Sequence, residues 1–95
     1  MPVTEDDFKE CIHKYARDAA VKIVNMLESM GHKPDLINTG ELGMGMTFGE
    51  CLLKIWGDCY LIGVRNGKKF YKTWYIEDDT PYHEIANAIS DQLEN

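Results

Sequence analysis

The chain has 95 residues, of which 44% are hydrophobic, with three cysteines and a net charge of −6 at pH 7. This length predicts a single domain over residues 1–95, and the hydrophobic fraction excludes an intrinsically disordered chain. The odd number of cysteines lacks the spacing of a disulfide framework or a zinc site, and no run reaches the ~20 apolar residues of a membrane helix. Because the N-terminal segment is acidic, unlike a secretory signal, we expect a cytoplasmic protein.

The first predicted element is one long N-terminal helix over residues 5–30. Thr4 can serve as its N-cap, with Asp7 three residues later. Gly31 and then Pro34 end the helix. Between these signals, apolar residues recur at three- and four-residue steps, which indicates a buried helical stripe. The stripe consists of Phe8, Cys11, Ile12, Tyr15, Ala19, Ile23, Leu27 and Met30.

A glycine-rich segment follows this helix and reads DLINTGELGMGMTFGE over residues 35–50. Its apolar residues at 36–37 and 46–48 predict one further short strand or hairpin, while its glycines indicate flexible positions. The segment lacks the Gly-Lys-Ser/Thr ending of a phosphate-binding loop and the third glycine of a dinucleotide fingerprint. We therefore interpret residues 38–49 as a mobile loop in which Met44 and Met46 offer adaptable apolar contacts.

Residues 51–76 predict a three-stranded antiparallel meander. Asn66-Gly67 lies between runs of branched and aromatic residues, which is a strong hairpin signal, and Gly57-Asp58 is compatible with a second two-residue turn. A short C-terminal helix follows, with Thr80 as N-cap and Pro81 at its first position. The apolar face of this helix consists of Tyr82, Ile85, Ala86, Ile89 and Leu93.

Together these elements predict an α+β fold in the order α-β-β-β-α, with a three- to four-stranded antiparallel sheet. We expect both helices to lie mainly on one face of that sheet. Two-residue turns would place Trp56 opposite Cys59 and Cys59 opposite Trp74, and would pair Arg65 with Lys68. One face of the meander would then carry the core residues, among them Leu53.

The other face of the meander combines aromatic and basic residues, which are typical of protein-binding surfaces. Two alternatives stay open: lysine stems shield the tryptophans, or a helix covers this face. The predicted partner-binding residues are Lys54, Trp56, Arg65, Lys68, Phe70, Lys72 and Trp74.

Charge is unevenly distributed along the chain. Residues 51–76 hold five basic residues against Asp58 alone, a net charge of +4, so the remainder carries −10. An acidic domain repels nucleic acid as a whole, and it favours basic partners or imitates nucleic acid at a protein's binding groove. Simple solubility explains the same net charge.

The sequence indicates no catalytic residue, no metal site and no cofactor. The three histidines, His13, His32 and His83, lack the spacing of zinc ligands. Cys11 and Cys51 are expected to be buried thiols that behave as small apolar side chains.

We therefore expect a small, acidic, non-catalytic domain that docks a protein partner, or a second copy of itself, through the aromatic and basic face. By class analogy alone, such a domain suits a phage or mobile-element inhibitor of a host nucleic-acid-handling or defence complex. One alternative is a module that binds single-stranded nucleic acid by base stacking and phosphate contacts on the same face. The other is a small enzyme or a nucleotide-ligand-binding protein.

Overall fold

The computed structural model describes residues 2–94, apart from the side chain of Lys69. Within this range neither α-helix is long and apolar enough to cross a membrane. Five strands form one antiparallel sheet in which each strand pairs with its neighbour along the chain. The elements are a short 3-10 helix (Glu5–Phe8), α1 (Lys14–Ser29), β1 (Leu36–Gly40), β2 (Gly43–Phe48), β3 (Cys51–Trp56), β4 (Leu61–Asn66), β5 (Lys69–Tyr75) and α2 (Tyr82–Glu94).

The α+β class and the antiparallel meander are confirmed, but the sheet has five strands rather than three or four. The glycine-rich segment forms the hairpin that its apolar residues predicted, and this β1–β2 hairpin, with Ile37 opposite Met46, supplies two strands. Met44, Met46 and Phe48 are buried and alternate with glycine or threonine along β2. The mobile-loop interpretation was wrong, because this alternation has the period of a strand with one buried face.

The N-terminal helix is broken, so the prediction of one helix over residues 5–30 was wrong. In the break, the Ile12 N–H donates to the Glu41 carbonyl in the β1–β2 turn at 2.9 Å. The Arg17 guanidinium donates to the Cys11 carbonyl at 2.5 Å. Cys11 is buried as expected, but Ile12 is 65% exposed. A long-range backbone hydrogen bond therefore replaces the helical one that the local pattern favours.

One hydrophobic cluster joins α1, α2 and one side of the sheet, which we call the core face. The sheet contributes alternate residues of β2, β3 and β4, as expected of strands with one buried side. The core predicted for β3 and for the C-terminal helix is therefore confirmed. The buried sheet residues are Met44, Met46, Phe48, Cys51, Leu53, Ile55, Ile62 and Val64, and α2 adds Ile85, Ala86 and Ile89.

The loop between β3 and β4 is longer than predicted. It spans residues 57–60, and Trp56 pairs with Leu61 instead of Cys59. Tyr60 has a φ of 57°, a left-handed conformation that closes the loop. Because the register moves by two residues, an even number, the side chains of β4 keep their predicted faces.

The turn between β4 and β5 is shifted by one residue. Asn66 pairs with Lys69, so Gly67-Lys68 forms the turn in place of Asn66-Gly67. Gly67 has a φ of +76°, which suits the first central position of a type II′ turn.

A β-bulge then changes the register within β5. Arg65 pairs with Phe70, but Val64 pairs with Lys72, which leaves one residue of β5 without a partner opposite it. Since one extra residue moves every later side chain to the other side of the sheet, Lys72 and Trp74 belong to the core face. The prediction that they share a face with Trp56 was wrong.

Thr80 closes the connection between β5 and α2. Because α2 begins at Tyr82, the residue directly before the helix is Pro81 and not Thr80 as predicted. Its Oγ1 accepts a hydrogen bond from the Glu77 N–H at 2.6 Å. It also lies 3.0 Å from the Tyr75 carbonyl oxygen. A hydroxyl that satisfies the loop backbone in this way is typical of a turn residue.

Candidate protein-binding surface

The side of the sheet opposite the core face, which we call the outer face, carries four of the seven predicted partner-binding residues. Lys54 pairs with Gly63, and both lie on this side because Lys54 alternates with buried Leu53. Lys68 is exposed in the β4–β5 turn at the border of the sheet. The four outer-face residues are Lys54, Trp56, Arg65 and Phe70.

Lys72 and Trp74 join β5 to α2 on the core face. Trp74 is half-buried and packs against the hydrophobic cluster. Lys72 Nζ lies 2.7 Å from Glu84 Oε1 on α2 and 5.2 Å from the centre of the Trp74 ring. The hydrogen bond and the charge of Lys72 lower the pKa of the Glu84 carboxyl below its ordinary value. These contacts give both residues a role in holding the helix to the sheet.

Trp56 and Phe70 lie against each other across β4 on the outer face. Their ring centroids are 5.3 Å apart and the rings are inclined at 61°, an edge-to-face arrangement. Gly63 lies beneath both rings, and a Cβ added there would be 3.0 Å from Trp56 Cζ3 and 3.1 Å from Phe70. The absence of a side chain at Gly63 therefore allows the two rings to lie low over the sheet.

Two cations flank this aromatic pair. Lys54 Nζ is 5.6 Å from the Trp56 ring centre, and Arg65 Cζ is 5.6 Å from that of Phe70. Among the residues that the structure describes, neither cation forms a salt bridge. Lys54 partly shields Trp56, as one alternative predicted, but Phe70 remains 44% exposed. We call Lys54, Trp56, Arg65 and Phe70 the Trp56 cluster.

Apolar side chains extend the outer face on both sides of the Trp56 cluster. Leu36 on β1 is 53% exposed and Tyr75 on β5 is 66% exposed. Leu52 and Leu61 are half-buried and lie outside the hydrophobic cluster that joins the helices to the sheet. Exposed apolar side chains gathered on one side of a sheet are typical of an interaction site.

A groove of about 780 Å³ runs along the outer face beside Trp56. Its floor is β2, where Gly43 and Gly45 present no side chain on this side of the sheet. Asn38 of β1 borders it on one side, and Leu52 and Trp56 of β3 border it on the other. This groove was not predicted from the sequence. The signal was available in the run GMGMTF, whose period of two points both glycines outward once it is assigned to a strand.

A tyrosine contact holds the β3–β4 loop at the end of the outer face. The Tyr15 hydroxyl donates to the Gly57 carbonyl and lies 3.1 Å from His13 Nδ1. The Tyr15 ring stacks on Tyr60 with centroids 4.5 Å apart. Burial, and secondarily the neighbouring Tyr60, raise the pKa of Tyr15 above its ordinary value. The loop that follows Trp56 is therefore attached to α1 from the core side.

The groups that could support metal or thiol chemistry are dispersed. Within residues 2–94, no group of three or more His, Cys, Asp or Glu side chains is placed to hold a metal ion. Cys11 and Cys51 are buried free thiols, as predicted, and Cys59 is exposed in the β3–β4 loop. Burial raises the pKa of Cys51, which reduces its reactivity near neutral pH.

Comparison of the chain with protein-family models, with curated proteins and with solved structures finds no match. Its function is therefore inferred from its own surface and charge.

Proposed function

We propose that this chain is a small non-catalytic domain that docks a protein partner through the outer face of its sheet. The Trp56 cluster is the observation that supports this function most directly. It combines partly exposed aromatic rings with an arginine, and tryptophan and arginine are enriched at binding hot spots. Its lysine is a charged residue of the kind found at the polar rim of an interface.

We further infer that both helices lie on the core face and leave the outer face uncovered. The buried residues of α1 and α2 belong to the same cluster as the core-face residues of β2, β3 and β4. The outer-face residues Leu52, Trp56 and Leu61 have no place in that cluster. A sheet with helices on one side commonly leaves its other side to solvent or to a partner.

The partner that fits this face presents negative charge. Lys54 and Arg65 lie at the aromatic pair, and among the described residues they form no salt bridge. A second copy docked about a two-fold axis centred on Trp56 would bring the same cations together, which costs free energy. Carboxylates of a different protein would instead complement them.

Binding of single-stranded nucleic acid is a weaker candidate. Lys72 and Trp74, which that hypothesis also needs, belong to the core face. Trp56 and Phe70 contact each other edge to face, so less of each ring surface is available for base stacking.

A random peptide library selected on the immobilised chain would test the protein-binding function. We expect enrichment of acidic peptides with apolar residues, and a roughly tenfold or larger loss of their affinity in Lys54→Glu, since reversal of an interfacial charge introduces repulsion. Lys22→Glu is the matched control, because Lys22 lies 5.0 Å above the Tyr82 ring on the helical side of the molecule.

Three outcomes would contradict this function. The first is equal loss of affinity in the Lys54→Glu and Lys22→Glu variants. The second is selection of peptides that bind the Trp56→Ala variant as well as the unchanged chain. The third is binding of oligothymidylate at low salt that weakens steeply as salt rises and disappears in Trp56→Ala, which would assign the face to nucleic acid.

A further inference from the structure

Two glycines, Gly43 and Gly45, form the floor of the groove beside Trp56, and only one of them is required by the packing of the strands. At Gly43, an added Cβ would collide with the backbone oxygen of Ile55, so the pairing of β2 with β3 itself requires glycine. At Gly45, an added Cβ would lie 3.6 Å from Leu52 Cδ1, an ordinary van der Waals distance, and its φ is outside the left-handed region. The fold therefore has room for a Cβ at Gly45.

A glycine inside a strand weakens the strand, because it adds backbone entropy to the unfolded chain and packs no side chain. Gly45 has this cost without a backbone conformation or a close contact that requires it. Its effect on the surface is to leave an open position in the middle of the outer face. This position is the floor of the groove.

The same sheet contains a glycine that is already covered. Gly45, Lys54 and Gly63 stand directly opposite one another on β2, β3 and β4, so the two glycines flank the lysine on the outer face. Trp56 and Phe70 cover Gly63 at 3.0 to 3.1 Å from its added Cβ position. Aromatic rings that lie over strand glycines compensate for the missing side chain. Gly45 has no such ring within 4 Å of that position.

We propose that the groove over Gly45 receives an aromatic side chain from an extended acidic segment of the partner, with a carboxylate of that segment on Lys54. This inference rests on the proposed function and names the class of ligand at the same face. The ring would lie on the backbone of β2 between Asn38 and Leu52, with its edge toward Trp56.

The charges at the groove set the direction of the segment. Glu41 and Asp58 line the groove in the turns that adjoin Gly43 and Trp56. Lys54 stands two residues along β3 from Trp56, about 7 Å away from that end. A carboxylate in the segment therefore gains from Lys54 and is repelled from the end with the two acidic residues.

The test uses synthetic peptides and the isotope-labelled full chain. The probe is a short acetylated and amidated peptide of alternating Asp and Glu with one central phenylalanine, and its control has alanine in place of phenylalanine. Amide chemical-shift changes are followed in the unchanged chain, in Gly45→Val and in Trp56→Ala. Valine suits a strand and would stand on the groove floor at position 45, so we expect Gly45→Val to unfold at the same or a higher temperature.

We expect the phenylalanine peptide to shift the amides of Gly43 and Gly45 and the indole N–H of Trp56. The alanine peptide should bind at least tenfold more weakly, and the phenylalanine peptide should lose at least tenfold in affinity for Gly45→Val. Equal affinity of the two peptides, or of the unchanged chain and a folded Gly45→Val, would overturn the groove proposal. Binding that still depends on Trp56 in those cases would leave the proposed function standing. The absence of any outer-face shift with either peptide would overturn both.

Discussion

At the scale of single residues, the two tryptophans have different environments, although both occur in runs of similar composition. Trp74 packs against the hydrophobic cluster and Trp56 lies on the outer face with Phe70. The β-bulge in β5 causes this difference, because it moves Trp74 to the core face, while Trp56 lies on β3, whose pairing is regular. The two residues should therefore contribute differently to stability and to binding.

Replacement of each tryptophan by alanine separates the two roles. We expect Trp74→Ala to lower the free energy of unfolding by about 2–4 kcal/mol, since it removes a large side chain from the edge of the core. Trp56→Ala should cost about 1 kcal/mol, mainly the aromatic contact, and abolish binding of the selected peptides. Urea denaturation measures both changes, and a larger loss of stability in Trp56→Ala would contradict the assignment of faces.

The three thiols should react at different rates. Cys59 is exposed, whereas Cys11 and Cys51 are buried and the pKa of Cys51 is raised by burial. We expect Ellman's reagent to modify one thiol per native chain quickly and the other two only on unfolding. The Cys59→Ser variant is the control, and it should lose the fast phase. Rapid reaction of two or three thiols in the native chain would contradict the burial of Cys11 and Cys51.

At the scale of secondary-structure elements, β5 is divided by its bulge into two functional parts. The part at the turn sends Phe70 to the outer face, and the part beyond the bulge sends Lys72 and Trp74 toward α2. A bulge that redirects side chains in this way is a common device at sheet edges. The Lys72–Glu84 pair should therefore add to the attachment that the buried residues of α2 provide.

This attachment predicts a pH dependence of stability. The Glu84 pKa is lowered from 4.5 in the folded chain, first by the hydrogen bond with Lys72 and then by its charge. The pair therefore stabilises the fold above the unfolded pKa, and this stabilisation is lost as pH falls through the lowered pKa. We expect Glu84→Gln to be less stable than the unchanged chain at pH 7 and equally stable well below the lowered pKa.

Urea denaturation across this pH range measures the difference, and Glu28→Gln on α1 is the control for a surface carboxylate. Because the pair is exposed to solvent, salt should reduce the effect. A stability difference that stays constant from neutral to acidic pH would show that Glu84 acts through some other contact.

At the scale of the whole molecule, charge is unevenly distributed. The meander region carries +4 and the remainder −10. The cations of the Trp56 cluster lie among the exposed apolar side chains of the outer face. Exposure of these apolar side chains to water favours binding of a partner over the free chain. The like charges of Lys54 and Arg65 disfavour a dimer in which two copies of this face meet about a two-fold axis.

We therefore expect the purified chain to be a monomer. Light scattering at low ionic strength, where repulsion between copies is least screened, should give the mass of one chain. The Lys54→Gln variant, which removes one of the opposing charges, is the informative comparison. A stable dimer of the unchanged chain that dissociates in Trp56→Ala would instead identify a second copy as the occupant of the outer face.

The finer functional hypotheses stay predictions. A net charge of −6 suits an inhibitor of a nucleic-acid-handling complex, but it suits an ordinary soluble domain equally well. The prediction of a single domain likewise rests on the length of the chain, and that of a cytoplasmic location on its acidic N-terminal segment. The composition of the outer face supports the proposal that it binds a protein. The peptide selection described above would indicate which kind of partner it binds.

Local sequence patterns determined most of the elements and the core of this protein. Alternation with a period of two in β3 and β4, and helical spacing in α2, each bury one predicted set of side chains, such as Leu53, Ile62 and Ile85. Gly31, with a φ of +90°, follows α1 where the helix was expected to end. These features depend on residues close together in the chain, so the sequence is sufficient to predict them.

Only the tertiary structure decided which residues share the outer face. The bond from Ile12 to Glu41 interrupts a helix that its local pattern favours, because the partner comes from a distant turn. One extra residue in β5 moves Lys72 and Trp74 away from Trp56, and no local signal marks that residue. Successive side chains of a strand point to opposite sides of the sheet. A register error of one residue therefore places the predicted surface residues on the wrong side.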